Sequence, residues 1–150
     1  MKKAWVVLAL LASCVLPAFA QSNELIDRLL EQPQASFGAA AYLVLAASGA
    51  LDPDATEQQA LESLSEKGWK LRAAQAEEPI RLGEFCFLIM EAFEEKGGLM
   101  YRLFPGPRYA VRELAYRELV HGKVHSRRLP SGQEVLQILA GYLDQKGGGA

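Results

Sequence analysis

The densest run of side chains able to engage another molecule is Gly97-Gly98-Leu99-Met100-Tyr101-Arg102-Leu103-Phe104-Pro105-Gly106-Pro107-Arg108-Tyr109. Its glycines free the backbone and its prolines stiffen it. Its aromatic rings can stack on sugars or fill a partner's pocket, and its Arg side chains present a planar fork to carboxylate or phosphate. Tyr101, Arg102, Phe104, Arg108, Tyr109 and Arg112 are the candidate partner-binding residues. The run also admits a packing alternative, in which Leu99, Leu103 and Phe104 plug a gap between helices while Tyr101 and Tyr109 hydrogen-bond at the rim.

Other reactive types point to structure before chemistry. Glu84 and Glu134 could act as paired carboxylates in glycosidic cleavage, but each stands three residues after a helix-opening position, where a carboxylate caps backbone N–H groups. His121 and His125 have the spacing of a helical metal pair, yet Gly122 separates them and no acid or thiol lies nearby in sequence. Cys86, within Phe85-Cys86-Phe87-Leu88-Ile89, reads as a small buried hydrophobe. Trp69 reads as a core anchor. No catalytic residue, metal ligand or cofactor is assigned.

The elements that must position these residues follow from period and punctuation. Six helices are predicted: Ser22 to Gln32, stopped by Pro33; Ser36 to Ser48, capped by Gly49; Thr56 to Gly68, opened by a Thr56/Gln59 capping box; Gly83 to Lys96; Pro107 to Gly122; and one from Ser131, with Glu134 completing its box, that frays toward Gly147. No segment alternates like a strand, so the fold class is all-α, with connectors of about four to thirteen residues between helices packed side by side.

The second, fourth and sixth helices repeat one another. With Ser36, Arg81 and Ser131 in register, Ala40, Phe85 and Val135 coincide, as do Leu43, Leu88 and Ile138; Val44, Ile89 and Leu139; and Ala47, Ala92 and Tyr142. These are the i, i+3, i+4 and i+7 positions of one apolar stripe, and they predict three helix-loop-helix units sharing one core. Pro79-Ile80-Arg81-Leu82-Gly83-Glu84-Phe85, with Leu88-Ile89 and Ala92-Phe93 after it and Gly68-Trp69 before it, resembles the second half of an S-layer homology (SLH) repeat. Leu129-Pro130-Ser131-Gly132-Gln133-Glu134-Val135 and Ala35-Ser36-Phe37-Gly38-Ala39-Ala40 resemble two further, degenerate copies. The resemblance implies a three-repeat helical domain of the kind that holds proteins to wall-linked polysaccharide. Where that family carries an Arg facing an anionic sugar, this chain has Phe37, Leu82 and Gly132.

Lys2 and Lys3, the apolar stretch Ala4 to Leu16, Pro17 and the small-x-small Ala18-Phe19-Ala20 predict a secretory signal over residues 1–20. A helical domain follows over 21–145, then a flexible tail over 146–150. Leu11-Ala12-Ser13-Cys14 resembles a lipobox, which makes a lipid anchor at Cys14 the disfavoured alternative. No later stretch reaches the roughly 20 apolar residues that a spanning helix needs. Loss of the two signal lysines would take the formal charge from −2 to −4, and that charge is polarised: residues 52–95 carry 11 acids and 4 bases, residues 101–128 carry 2 acids and 7 bases. A general nucleic-acid binder would be basic throughout, so none is expected. The expectation is an exported, non-catalytic protein of the periplasm or cell envelope that binds another envelope protein through the basic aromatic segment from Tyr101 to Arg128. The alternatives are an anchor for anionic cell-wall polysaccharide or peptidoglycan and, last, a small glycan hydrolase.

Overall fold

Helix boundaries among the described residues are set by a few capping groups and by left-handed turns, two of them at Gly49 and Gly68. The computed structural model describes residues 17–148, with side chains from Asn23 onward. Residues 1–16, which hold Lys2, Lys3, Cys14 and most of the expected export signal, lie outside the described residues, as do 149 and 150. The described residues form α1 (Pro17–Leu30), α2 (Phe37–Ala47), α3 (Glu57–Lys67), α4 (Leu82–Ala92), α5 (Leu99–Leu103), α6 (Pro107–Tyr116) and α7 (Gly132–Gly148). They contain no strand, only one isolated antiparallel bridge between Ser36 and Pro79. The fold is all-α.

The capping box at Thr56 is complete. Gln59 N donates to Thr56 Oγ1 at 3.2 Å, and Thr56 N donates to Gln59 Oε1 at 2.8 Å. Only half of the box expected at Ser131 forms: Glu134 N donates to Ser131 Oγ, while the Glu134 carboxylate turns to Arg128. Two helices end sooner than predicted. α4 stops at Ala92 instead of Lys96, and α6 at Tyr116 instead of Gly122, because the chain turns through Glu94 (φ +54°) and Glu118 (φ +61°). Glu95 N then donates to Met90 O and Leu119 N to Leu114 O, the closure that Ala50 N makes to Leu45 O beyond Gly49. The early end of α6 delivers Leu119 and Val120 into the core. At the other terminus, α7 continues through Lys146 to Gly148, where a tail was expected.

Glutamate in the left-handed region carries a Cβ clash that glycine lacks. Glu94→Gly and Glu118→Gly should therefore each raise stability by about 0.5 to 1 kcal/mol, after allowance for glycine's greater freedom in the unfolded chain. Chemical denaturation measures this, and a loss of stability in both variants would contradict the observed turns.

The apolar stripes meet in one core. Ala40, Val44, Phe85, Leu88, Ile89, Val135, Ile138 and Leu139 are buried within a single cluster, with Leu43 partly exposed at its margin. The pairing of helices differs from three helix-loop-helix units in which each helix packs on the stripe-bearing helix that follows it. Instead α3 packs on α2, α6 on α4, and α1 on α7, so the first helix closes against the last.

The connectors explain this pairing, because each crosses to a neighbouring helix opening. Phe37 N donates to Glu78 O at 2.7 Å and Gly38 N to Ala76 O at 2.9 Å; Leu82 N donates to Arg128 O at 2.7 Å and Gly83 N to Ser126 O at 2.9 Å. Gly132 N completes the set with a bond to Gln32 O at 3.0 Å. The donors occupy matching places in the sequence register. The approach is close enough to demand glycine, since a Cβ on Gly38 would lie 2.7 Å from Ala76 Cβ and one on Gly83 2.8 Å from Ser126 Cβ.

Candidate functional site

The segment expected to be a rigid recognition loop contains α5, and this single helical turn sorts its side chains sharply. Tyr101 is buried at 3% exposure, while Leu99, Met100, Leu103 and Phe104 are 51 to 65% exposed. Each of the two sequence readings is corrected at some of its residues. Tyr101 is no contact residue: its hydroxyl donates to Glu91 Oε1 at 2.7 Å and its ring packs 6.3 Å from Phe87, and burial together with that carboxylate pushes its pKa up. Leu99, Leu103 and Phe104 are not the plug. One turn of helix can turn only part of its surface inward, and Tyr101 takes that place.

Phe104, Arg108, Tyr109 and Arg112 come together at the start of α6, while Arg102 stands on α5. Arg102, Arg108 and Arg112 are exposed and Tyr109 is half-buried. Tyr109 is the hub, with the Phe104 ring 6.3 Å away and the Arg108 and Arg112 guanidinium carbons 6.0 Å and 5.8 Å from its centroid. Pro107 at the first turn of α6 fixes this geometry. Among the described residues Arg102, Arg108 and Arg112 take part in no ion pair. Two other bases of the expected surface are committed to structure: Arg117 pairs with Glu95 at 3.1 Å, and Arg128 with Glu134 at 2.5 Å.

Packing and recognition separate by substitution. Tyr101→Phe should lose about 1 to 2 kcal/mol by leaving the Glu91 carboxylate without its donor, whereas Phe104→Ala should stay within about 0.5 kcal/mol of wild type, as exposed positions do. Thermal unfolding decides between them, and an equally large loss at Phe104 would show it to be a packing residue.

The two carboxylates considered for catalysis are both engaged. Glu84 is 4% exposed; Arg72 Nε donates to one oxygen at 2.8 Å and Arg81 N to the other at 2.9 Å. Both oxygens of Glu134 accept from Arg128, at 2.5 and 2.7 Å. Cys86 is buried and free, and burial pushes its thiol up. Both histidines are exposed, and His125 Nδ1 accepts from Arg127 N. Among the described residues no three His, Cys, Asp or Glu side chains cluster as a metal site. Trp69 is half-buried against the core, with Lys67 Nζ 5.3 Å above its ring.

Two features escaped sequence reasoning because distant residues build them. Glu95 accepts from the Tyr142 hydroxyl and from Arg117, with Lys146 3.7 Å away. Burial alone would raise its carboxyl, but these partners hold it below the usual range. The second is a furrow of about 360 Å³ lined by Arg108, Val111, Arg112, Val124, His125, Ser126 and Arg127. Its counterpart fifty residues earlier is a furrow of about 380 Å³ that includes Gln58, Leu61, Glu62, Ala74, Gln75, Ala76 and Glu77. Every one of those seven positions matches at that offset, and the two furrows carry opposite charge.

No protein-family model, curated protein or solved structure matches the chain. At the positions where the resemblance to SLH repeats would place a sugar-facing Arg, Phe37 and Leu82 are 2% and 0% exposed and Gly132 is buried against Leu29. No described helix is long and apolar enough to cross a membrane.

Proposed function

We propose that this chain is an exported, non-catalytic binding module of the periplasm or cell envelope, a degenerate SLH-like scaffold of three units. Its contact surface is α5 and the first two turns of α6. The observation that carries this function is the exposed cluster of Leu99, Met100, Leu103 and Phe104 beside three Arg side chains without acid partners. A folded domain has no structural use for such a patch, and an acidic, partly apolar protein surface would cover it. The engagement of Glu84 and Glu134 by Arg72 and Arg128 supports the non-catalytic assignment.

The burial of Phe37, Leu82 and Gly132 favours protein over wall polymer. A second reading, binding of an anionic wall polymer, draws support from the furrow of Arg108, Arg112, His125 and Arg127. Crosslinking pull-down from the native envelope, with sedimentation against purified wall sacculi beside it, tests both. Arg108→Glu/Arg112→Glu touches only exposed side chains, so it should fold normally and lose most captured protein at low salt. A folded double variant that captures the same partners would remove this surface from consideration, and co-sedimentation of the wild type with sacculi alone would establish the polymer instead.

A further inference from the structure

α3 and α6 are counterparts at an offset of fifty residues. Ala60 and Ala110 are both fully buried, Leu64 and Leu114 both face the core, and Gly68 and Glu118 end the two helices with φ of +63° and +61°. Their outward ridges, spaced i, i+4 and i+8, are Gln58, Glu62 and Glu66 on α3 and Arg108, Arg112 and Tyr116 on α6, all exposed, with Tyr116 at 89%. Among the described residues Glu62, Glu66, Arg108 and Arg112 enter no ion pair. One backbone template thus presents an acidic ridge and a basic ridge of the same length, about 12 Å from first to third residue. They face different neighbours within one molecule, since α3 packs on α2 and α6 on α4.

We infer that the basic ridge of α6 docks antiparallel on the acidic ridge of α3 of a second copy of this chain. Antiparallel alignment sets Arg108 opposite Glu66 and Arg112 opposite Glu62, with Tyr116 over Gln58, whereas parallel alignment leaves a single ion pair. Opposed helix dipoles favour the same direction. The contact joins unlike surfaces, so a docked pair keeps one free ridge at each end and the assembly grows into a short chain or closes into a ring. One helix pair is a small interface, which makes the association weak and salt-sensitive. This identification of the partner rests on α6 being a binding surface.

Light scattering on the purified mature protein, at roughly 100 μM and at both about 20 mM and about 500 mM salt, reads the association. The average mass of the wild type should rise above that of the monomer at low salt, increasing with protein concentration, and return to monomer at high salt. Arg108→Glu/Arg112→Glu and Glu62→Lys/Glu66→Lys should each be monomeric with unchanged unfolding midpoints. Mixed in equal amounts they should associate again, because each supplies the ridge the other needs. A wild type that stays monomeric at low salt overturns the inference, as does failure of the mixture to associate when the wild type does. If the wild type is monomeric but Arg108→Glu/Arg112→Glu still loses its envelope partners, self-docking falls and the binding function stands. If it associates but the variant keeps every partner, the reverse holds.

Discussion

Gly132→Ala is expected to lower the free energy of unfolding by about 3 kcal/mol, at the upper end of what an inserted methyl group costs in a packed site. A Cβ at this position would overlap Leu29 O and lie 2.6 Å from Leu29 C. Those are backbone atoms at the end of α1, and the neighbouring Gly132 N to Gln32 O bond holds the same junction. Relief therefore requires α1 to move away from α7, which undoes the closure of the first helix on the last. The unfolding midpoint should fall by roughly 10 °C or more. Gly147→Ala is the control, since nothing lies within 4 Å of a Cβ there and the position is in the last turn of α7, so its stability should stay within about 0.5 kcal/mol of wild type. A Gly132→Ala midpoint equal to wild type would mean that α1 does not dock where it is described.

Leu88→Ala and Ile138→Ala should each cost about 2 to 5 kcal/mol, the range for emptying a packed aliphatic site. Leu88 is fully buried and Ile138 is 2% exposed, and they occupy the same place on the stripes of α4 and α7. Leu43, their counterpart on α2, is only partly buried, so Leu43→Ala should cost clearly less. Urea denaturation separates the three, and the slope of free energy against urea should stay constant if the unfolded chain is unaltered. A ranking with Leu43 first would show that the stripe on α2 faces another way.

What the amino-acid sequence determined by itself was local. Helix openings at Thr56, Pro107 and Ser131, helix ends at Gly49 and Gly68, the all-α class and the buried stripes of Phe85, Val135 and their neighbours depend on interactions within a few residues or on apolar period. Those signals are complete within a short window. Ends set by Glu94 and Glu118 were not legible, because a charged residue in a glycine conformation carries no local mark; the turn at Glu118 takes Leu119 and Val120 into the core, and the turn at Glu94 takes Glu95 to Tyr142 and Arg117.

The candidate site divides along the same line. Arg108 and Arg112 share a helix face because Pro107 starts a helix beside them, and their spacing of four already implied it; that the Phe104 and Tyr109 rings join them was decided by tertiary structure. Tyr101 and Glu91, Arg117 and Glu95, and Arg128 and Glu134 were matched by tertiary structure, which decided which members of one basic aromatic segment were spent on folding and which were left facing solvent. The opposed ridges of α3 and α6 belong to both levels. Their charges are plain in the chain, but that they stand on equivalent outward faces follows only from how the two helices dock on the common core, where burial of Ala60 and Ala110 sets the rotation of each.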